Sequence, residues 1–259
     1  MAHAEVSALH PSPTLVVLPT YNEAENIATV LRRVRASVPD AHILVVDDGS
    51  PDGTADLADE CARALGGITV MRRPSPSGLG AAYRAGFRWG LDRGYEVLVE
   101  MDADLSHDPD TLPALLGEID DGADLVIGSR YVPGGVAVGW PWARRAISKI
   151  GCRYAQLMLR LPTRDATSGF RAYRADALRA VDLETVRANG YGFQIEMAFR
   201  VTNVGGDVRE IPIEFRERTA GTSKMSSMIV VEALWLVTRW GVVDRVRGRR
   251  PIPARLRIA

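Results

Sequence analysis

The chain has 259 residues, with 32 basic and 32 acidic side chains and hence no formal net charge. Apolar residues make up 46% and charged residues 25%, which is the make-up of a globular protein able to bury a substantial core. This balance gives no bulk electrostatic footprint for a polyanion, and no nucleic-acid partner is expected. The two cysteines, Cys61 and Cys152, imply no disulfide framework and suit a reducing compartment.

Residues 1–13 (MAHAEVSALHPSP) lack an apolar run of signal-peptide length and read as a flexible N-terminus. Thr14 to Pro19 is apolar and β-branched, the pattern of a buried strand. Asn22 and Glu25 follow in the manner of a helix cap with an acid three residues on, and Ile27, Val30, Leu31 and Val34 keep helical spacing. Ile43 to Val46 is the next strand. Ser50 and Asp52 are capping candidates for a helix with Leu57, Cys61 and Leu65 on its apolar face. Ile68 to Met71 reads as a short strand and Gly78 to Trp89 as a helix. Tyr95 to Met101, Pro109 to Ile119 and Leu125 to Ile127 continue as strand, helix and strand.

This alternation predicts a mostly parallel sheet covered on both faces, with its ligand crevice beyond the carboxyl ends of the strands. Three polar clusters follow strands directly: Pro19-Thr20-Tyr21-Asn22-Glu23, Asp47-Asp48 and Asp102-Ala103-Asp104. They are expected on one edge of one sheet.

Beyond residue 130 the pattern changes. Val132 to Trp142 is rich in Gly and Pro and reads as a mobile loop. Ala146 to Leu161 reads as an amphipathic helix with Ile147, Ile150, Tyr154, Leu157, Met158 and Leu161 as its stripe, facing either the core or a membrane interface. Val208 to Phe215 is a late strand, and residues 219–227 form a polar loop. The apolar stretch Met228 to Val237 contains Glu232 and falls short of the roughly 20 residues that span a bilayer. No transmembrane helix is expected. The last stretch carries Arg245, Arg247, Arg249, Arg250, Arg255 and Arg257 without an acid, and such a tail is either solvated or near anionic lipid.

Asp102 and Asp104, at i and i+2, can converge on one cation, and hard oxygen ligands suit magnesium or manganese completed by substrate phosphates. The alternative is a solvated turn. Asp47-Asp48 admits three readings. One is a turn. A second is a calcium loop over Asp48, Ser50, Asp52, Gly53, Asp56 and Asp59, against which stand Pro51, an Asp at the twelfth position and a preceding strand. The third is a nucleotide site in which one Asp accepts from a base N–H and the other holds the turn. Gly78-Leu79-Gly80 is no dinucleotide fingerprint, since Tyr83 stands where the third glycine belongs. The four histidines, His3, His10, His42 and His107, have no metal-ligand spacing, and His107 reads as loop structure.

In combination, Leu18 to Glu23, Val45 to Thr54, Gly78 to Gly80, Met101 to His107 and Gly128-Ser129-Arg130-Tyr131 resemble the inverting family 2 glycosyltransferases of GT-A fold. Within that family the resemblance is to the polyprenol-phosphate (dolichol-phosphate) mannose synthases. Ser168 to Arg171, Tyr191 to Met197, Phe215 to Arg218 and Gly221 to Lys224 extend the match over roughly residues 14–227.

The resemblance implies an α/β GT-A domain, a Rossmann-like nucleotide-diphospho-sugar transferase with a mixed, mostly parallel sheet flanked by helices. An amphipathic helix and basic tail follow over residues 228–259. It implies that Pro19, Tyr21, Glu23, Val46 and Asp48 line the nucleotide pocket for GDP-mannose. Asp102, Ala103 and Asp104 would meet its diphosphate through Mg2+ or Mn2+, with Ser106 a further metal ligand. Arg130, Arg144 and Ser148 would face the acceptor phosphate, and Arg218 and Lys224 would close over the donor phosphates. Asp104, Arg130 and Arg144 are the implied catalytic residues.

The implied reaction moves mannose from GDP-mannose to a polyprenyl monophosphate with inversion, giving a β-mannosyl phosphoryl polyprenol that serves as a lipid-linked mannose donor. The acceptor is a phosphate monoester, already anionic near neutral pH, so no catalytic histidine is required. The implied location is the cytoplasmic face of a membrane, held peripherally, with room for a separate membrane-protein partner. The competing readings are a polyprenyl-phosphate glucosyl- or N-acetylglucosaminyltransferase and a non-catalytic nucleotide-sugar-binding subunit. A processive synthase is disfavoured because Leu236 stands where its Q-x-x-R-W motif requires Gln.

Overall fold

The structure is a computed structural model and describes residues 12–217 and 227–246. In chain order it runs β1 (Thr14–Thr20), α1 (Ile27–Ser37), β2 (His42–Asp47), α2 (Thr54–Leu65), β3 (Ile68–Arg72), α3 (Leu79–Leu91) and β4 (Val97–Glu100). A single 3-10 turn (Pro109–Thr111) then leads into α4 (Leu112–Asp120) and β5 (Leu125–Ser129). The second half holds β6 (Val136–Val138), α5 (Trp142–Leu159), β7 (Arg171–Arg174), α6 (Ala175–Ala180), α7 (Gly190–Asn203), β8 (Val208–Pro212), β9 (Glu214–Arg216) and α8 (Ser227–Val246).

Seven strands form one sheet in the order β3-β2-β1-β4-β7-β5-β8. All neighbours are parallel except β7, which runs antiparallel to both β4 and β5. The carboxyl ends of β1, β2, β4 and β5 and the start of β7 therefore share one edge. Strand alternation divides the core between the two faces. Val16 and Leu18 of β1 pack with Ile27, Leu31 and Leu115 on one side. Leu15 and Val17 pack with Tyr83, Phe87 and Phe193 on the other. Each such side chain, fully buried, contributes about 1.5–3 kcal/mol of transfer free energy.

Several boundaries differ from the sequence expectation. Helix α1 starts at Ile27 with Asn26 as its cap residue, and Asn22 adopts φ 60° in a turn. The turn after β1 is knitted to the one after β2: Asn22 N–H donates to Ser50 Oγ, Glu23 N–H to Thr54 Oγ1 and Ala24 N–H to Asp52 Oδ2. The same contacts remove the calcium-loop reading, because Asp52 also accepts from Thr54 while Asp56 and Asp59 pair with Arg72. The loop over residues 132–142 contains β6, which pairs in parallel with β9 as a second, two-stranded sheet. The expected strand Val208–Phe215 breaks after Pro212, which has no N–H to continue the ladder. Ile213 N–H then bonds Ser129 O, and Val136 N–H bonds Ile213 O, joining the two sheets.

Helix α5 begins four residues earlier than expected, at Trp142 after Pro141. Its expected stripe is divided, with Tyr154, Met158 and Leu161 packed against Ile195 and Val237. Cys152, Ala155 and Leu159 are buried, whereas Trp142, Ile147, Ile150 and Leu157 are exposed. Helix α8 packs alongside it, with Tyr154 OH 2.6 Å from Thr238 Oγ1, and exposes Val231, Trp235, Val242 and Val246.

Candidate active site

The edge at the carboxyl ends of the strands is lined in the order of the sheet. At β2, Asp47 is buried and saturated: its carboxylate accepts from Thr20 Oγ1 at 2.9 Å, Ser50 N–H at 2.9 Å and Ser50 Oγ at 2.6 Å. It holds the turn. Asp48, next in the chain, pairs with Arg73 Nη1 at 2.6 Å and accepts from Ser77 N–H at 3.3 Å. Arg73 was not singled out in the sequence, and it makes this carboxylate part of an ion pair at the pocket wall. Val46 lies under the edge, fully buried, while Pro19, Tyr21 and Glu23 are half-buried above it. Glu23 Oε2 accepts from Asn26 Nδ2 at 2.9 Å.

Strand β4 ends in the Asp102-Ala103-Asp104 turn. Asp102 is half-buried, with Tyr83 OH donating to its Oδ1 at 3.1 Å. Burial, then the charges of Asp102 and Glu100, hold the Tyr83 phenol well above its usual range, so it stays a donor. Asp104 is buried beside buried Ala103, and its Oδ1 accepts from Ser106 N–H at 3.0 Å and Ser106 Oγ at 2.6 Å. Leu105 between them adopts φ 63°, a left-handed conformation that costs a non-glycine residue energy and that the two flanking bonds maintain. His107 accepts from Asp102 N–H through Nδ1 at 3.3 Å and stacks on Phe170. It is loop structure.

The donor set fits a divalent cation. Asp102 and Asp104 are hard oxygen donors on adjacent turns of one strand end, and among the described residues no group of three or more His, Cys, Asp or Glu forms a closed cage. Two carboxylates, with the remaining positions left to phosphate and water, are what Mg2+ or Mn2+ takes in nucleotide sites. The Ser106 hydroxyl donates to Asp104 and orients it, and its oxygen keeps its lone pairs.

At β5 the edge is built around Arg130, which is buried. Its Nε donates to Asp165 Oδ2 at 2.7 Å, and its Nη2 to Asp165 Oδ1 at 2.7 Å and Thr167 Oγ1 at 2.8 Å. Those three bonds use the Nε proton and both Nη2 protons, leaving Nη1 as the nitrogen able to serve a ligand. Asp165 also takes the Arg130 N–H at 3.0 Å, while Asp165 N–H donates to Glu210 Oε1 at 2.9 Å. Burial opposes the charge on Asp165, yet Arg130 outweighs it and holds the carboxyl below the usual aspartate range. Burial, reinforced by Asp165, pushes the Cys152 thiol up to about 12. Burial, with the charge of Asp165 adding to it, raises Glu210.

Trp140, Tyr131 and Phe215 surround the Arg130 guanidinium at 5.2, 5.3 and 5.4 Å from their ring centroids. Arg144 lies over the Trp140 ring at 4.0 Å and pairs with Glu217 Oε1 at 2.8 Å. Ser148 accepts from Tyr131 OH at 2.7 Å. Arg130, Arg144 and Ser148 are thus gathered round one aromatic group. Gly135 closes the cluster from above: a Cβ there would stand 2.8 Å from the Arg130 carbonyl carbon and 3.1 Å from its Cα. Arg218 and Lys224 lie outside the described residues. Asp165, Thr167 and Glu210 escaped the sequence reading; the polar run Thr163-Arg164-Asp165 before the Ser168 to Arg171 motif was their one signal.

The family model described as "Glycosyl transferase family 2" matches residues 15–182. An undecaprenyl-phosphate mannosyltransferase of Micrococcus luteus is 54% identical over 236 residues, covering 91% of this chain and 97% of that protein. A polyprenol monophosphomannose synthase of Mycolicibacterium smegmatis is 53% identical, covering 91% and 90%. Among solved structures, the Pyrobaculum calidifontis mannosyltransferase PcManGT, in complex with GDP-Man and Mn2+, superposes with a TM-score of 0.56 at 16% identity over 94% of this chain and 78% of that one. This last likeness is one of fold. With strand ends, carboxylate pair and family match in agreement, the chain belongs to glycosyl transferase family 2.

Proposed function

We propose that this glycosyltransferase moves a mannosyl group from GDP-mannose to a polyprenyl monophosphate with inversion. The observation that carries the reading is the sequence of chemistries along one sheet edge. A pocket wall at β1 and β2 is followed by the Asp102/Asp104 pair at β4 and by Arg130 and Arg144 at β5. Two relatives above 50% identity, each covered at 90% or more, are named for transfer of mannose to such an acceptor.

In this reading an acceptor phosphate oxygen attacks the anomeric carbon. The bond from that carbon to the diphosphate oxygen breaks, and GDP leaves with the electron pair. Attack opposite an α-linked leaving group gives the β-linked product. Bound at Asp102 and Asp104, a divalent cation would offset charge growing on the diphosphate. Arg130 Nη1 and Arg144 orient the acceptor phosphate by charge-assisted hydrogen bonds. Asp165 cancels much of the long-range charge of Arg130, so this guanidinium acts by geometry more than by attraction. The acceptor is an anion already, and no general base takes part.

The exposed apolar residues of α5 and α8 form the surface on which a lipid acceptor is met. Helix α5 carries Arg144, Arg145, Lys149 and Arg153 and no acid, a composition suited to an anionic leaflet. Among the described residues no helix is long and apolar enough to cross a membrane. We place the protein peripherally on the cytoplasmic leaflet, where its two free cysteines remain reduced.

One assay tests the reaction: purified protein, Mn2+ or Mg2+, polyprenyl phosphate and a panel of nucleotide sugars. Mannose transfer from GDP-mannose alone is the expected outcome. Transfer only from a UDP-sugar overturns the donor, and binding of a nucleotide sugar without turnover favours a non-catalytic subunit.

A further inference from the structure

The order of the sheet assigns a role to a residue not used so far. Gln194, in the second turn of α7, is 2% exposed, and neither atom of its amide has a hydrogen-bond partner among the described residues. Buried polar groups are almost always paired, and leaving one unpaired costs on the order of 1–3 kcal/mol. The backbone around it is pinned on two sides. Its carbonyl accepts from Arg171 Nη1 at 2.7 Å. The preceding Phe193 ring lies parallel to Tyr83, with centroids 5.9 Å apart, and Tyr83 OH is bonded to Asp102. The amide is therefore held at a fixed place relative to Asp102.

Gly169 shows what lies between them. A Cβ at that position would stand 3.5 Å from Gln194 Nε2 and 3.7 and 3.8 Å from the two carboxylate oxygens of Asp102. The amide and the carboxylate flank the same point, and the residue beside it has no side chain. Glu100 is the nearest alternative partner. The Gln194 amide is near enough to favour the charged form of Glu100 slightly, but the two groups do not meet hydrogen-bond geometry.

We propose that Gln194 is a specificity-determining residue that hydrogen-bonds a hydroxyl of the donor's sugar ring. The inference rests on the reading that Asp102 meets the donor diphosphate. The sugar is esterified to that diphosphate, and the sheet order β2-β1-β4-β7-β5 then sets base, diphosphate, sugar and acceptor side by side. Gln194 lies next to Asp102 across the Gly169 position, within reach of a sugar joined to that diphosphate. An amide can both donate to and accept from a hydroxyl. It also brings no further negative charge next to Asp102, which a carboxylate there would.

The test compares binding of GDP and GDP-mannose, with Mn2+ present, by calorimetry on wild type, Gln194→Ala and the near-isosteric Gln194→Met. Both variants should keep GDP affinity within about twofold while GDP-mannose binding weakens about tenfold or more, the loss of one buried hydrogen bond. Gln194→Met should also melt no lower than wild type, because it removes an unpaired buried amide. Parallel loss of GDP and GDP-mannose affinity, unchanged GDP-mannose affinity, or a Gln194→Met melting temperature several degrees lower would each overturn the proposal. If wild type uses a different nucleotide sugar, the donor assignment falls. The same comparison, made with that nucleotide sugar and its own diphosphate, then decides the role of Gln194.

Discussion

The proposed donor and acceptor sides of the sheet edge are built on different scales. On the donor side Asp47 and Asp104 are each held by the turn that follows, while Asp48 and Asp102 are bonded by Arg73 and Tyr83, 25 and 19 residues away. Ser50 holds Asp47 and Ser106 holds Asp104, at separations of three and two residues. On the acceptor side Arg130 is held by Asp165, 35 residues on, and Arg144 by Glu217, 73 residues on. The donor side leans on its turns together with contacts of moderate span, and the acceptor side on the longest tertiary contacts. Damage to the first should therefore stay local, whereas damage to the second should reach stability.

The sharpest way to break this contrast is Asp165→Asn. It strands a buried guanidinium, and losing one partner of a buried pair costs about 3–5 kcal/mol. Denaturant unfolding should show that loss, and acceptor KM should rise more than donor KM. The pH dependence follows from the sign of the shift. The folded pKa of Asp165 lies below its ordinary value of 3.8, so its contribution is full above that value and is lost as pH falls through the folded one. Asp165→Asn should remove that part of the acid sensitivity. A variant as stable as wild type would show that the acceptor side does not depend on this pair.

Asp104→Ala tests the donor side. Transfer should fall on the order of 10²–10³-fold, as when a group stabilising transition-state charge is removed, while thermal stability changes little. Full turnover would sink the metal assignment. Ile147→Glu with Ile150→Glu is next in size. Sedimentation with anionic vesicles should drop several-fold, with turnover of a short-chain, water-soluble acceptor unchanged. Equal sedimentation would move membrane attachment away from α5. The smallest effect is a near-absence of reaction. With its thiol pushed up to about 12 and buried, Cys152 should resist iodoacetamide in the native protein while half-exposed Cys61 is modified, as read by mass spectrometry.

The same difference of scale explains what the sequence reveals. Strand-then-turn motifs such as PTYNE, VVDDGS and DADLS are legible because apolar runs locate the strands and polar turns follow at once. The fold class follows from the same alternation. Strand β7 is not legible: Arg171 and Arg174 bracket it, and a fully buried arginine bonded to the carbonyls of Ser168, Gln194 and Ala166 looks like surface in one dimension. Asp165 and Glu210 are hidden for the same reason, being charges whose strongest partners are remote. Helix α5 is legible in part. Its apolar stripe allows either a core face or a membrane interface, and the structure divides it: Tyr154, Met158 and Leu161 pack inward while Ile147, Ile150 and Leu157 face out.

Gly135 turns these contacts into a limit on substitution. Within the loop over residues 132–141, Trp140 meets the Arg130 guanidinium while Gly135 meets its main chain. At position 135 a single added methyl would press on the main chain of Ser129 and Arg130, which cannot swing aside as a flexible side chain would. Keeping Arg130 in place therefore leaves no room at position 135, where the smallest possible substitution is also one of the most disruptive.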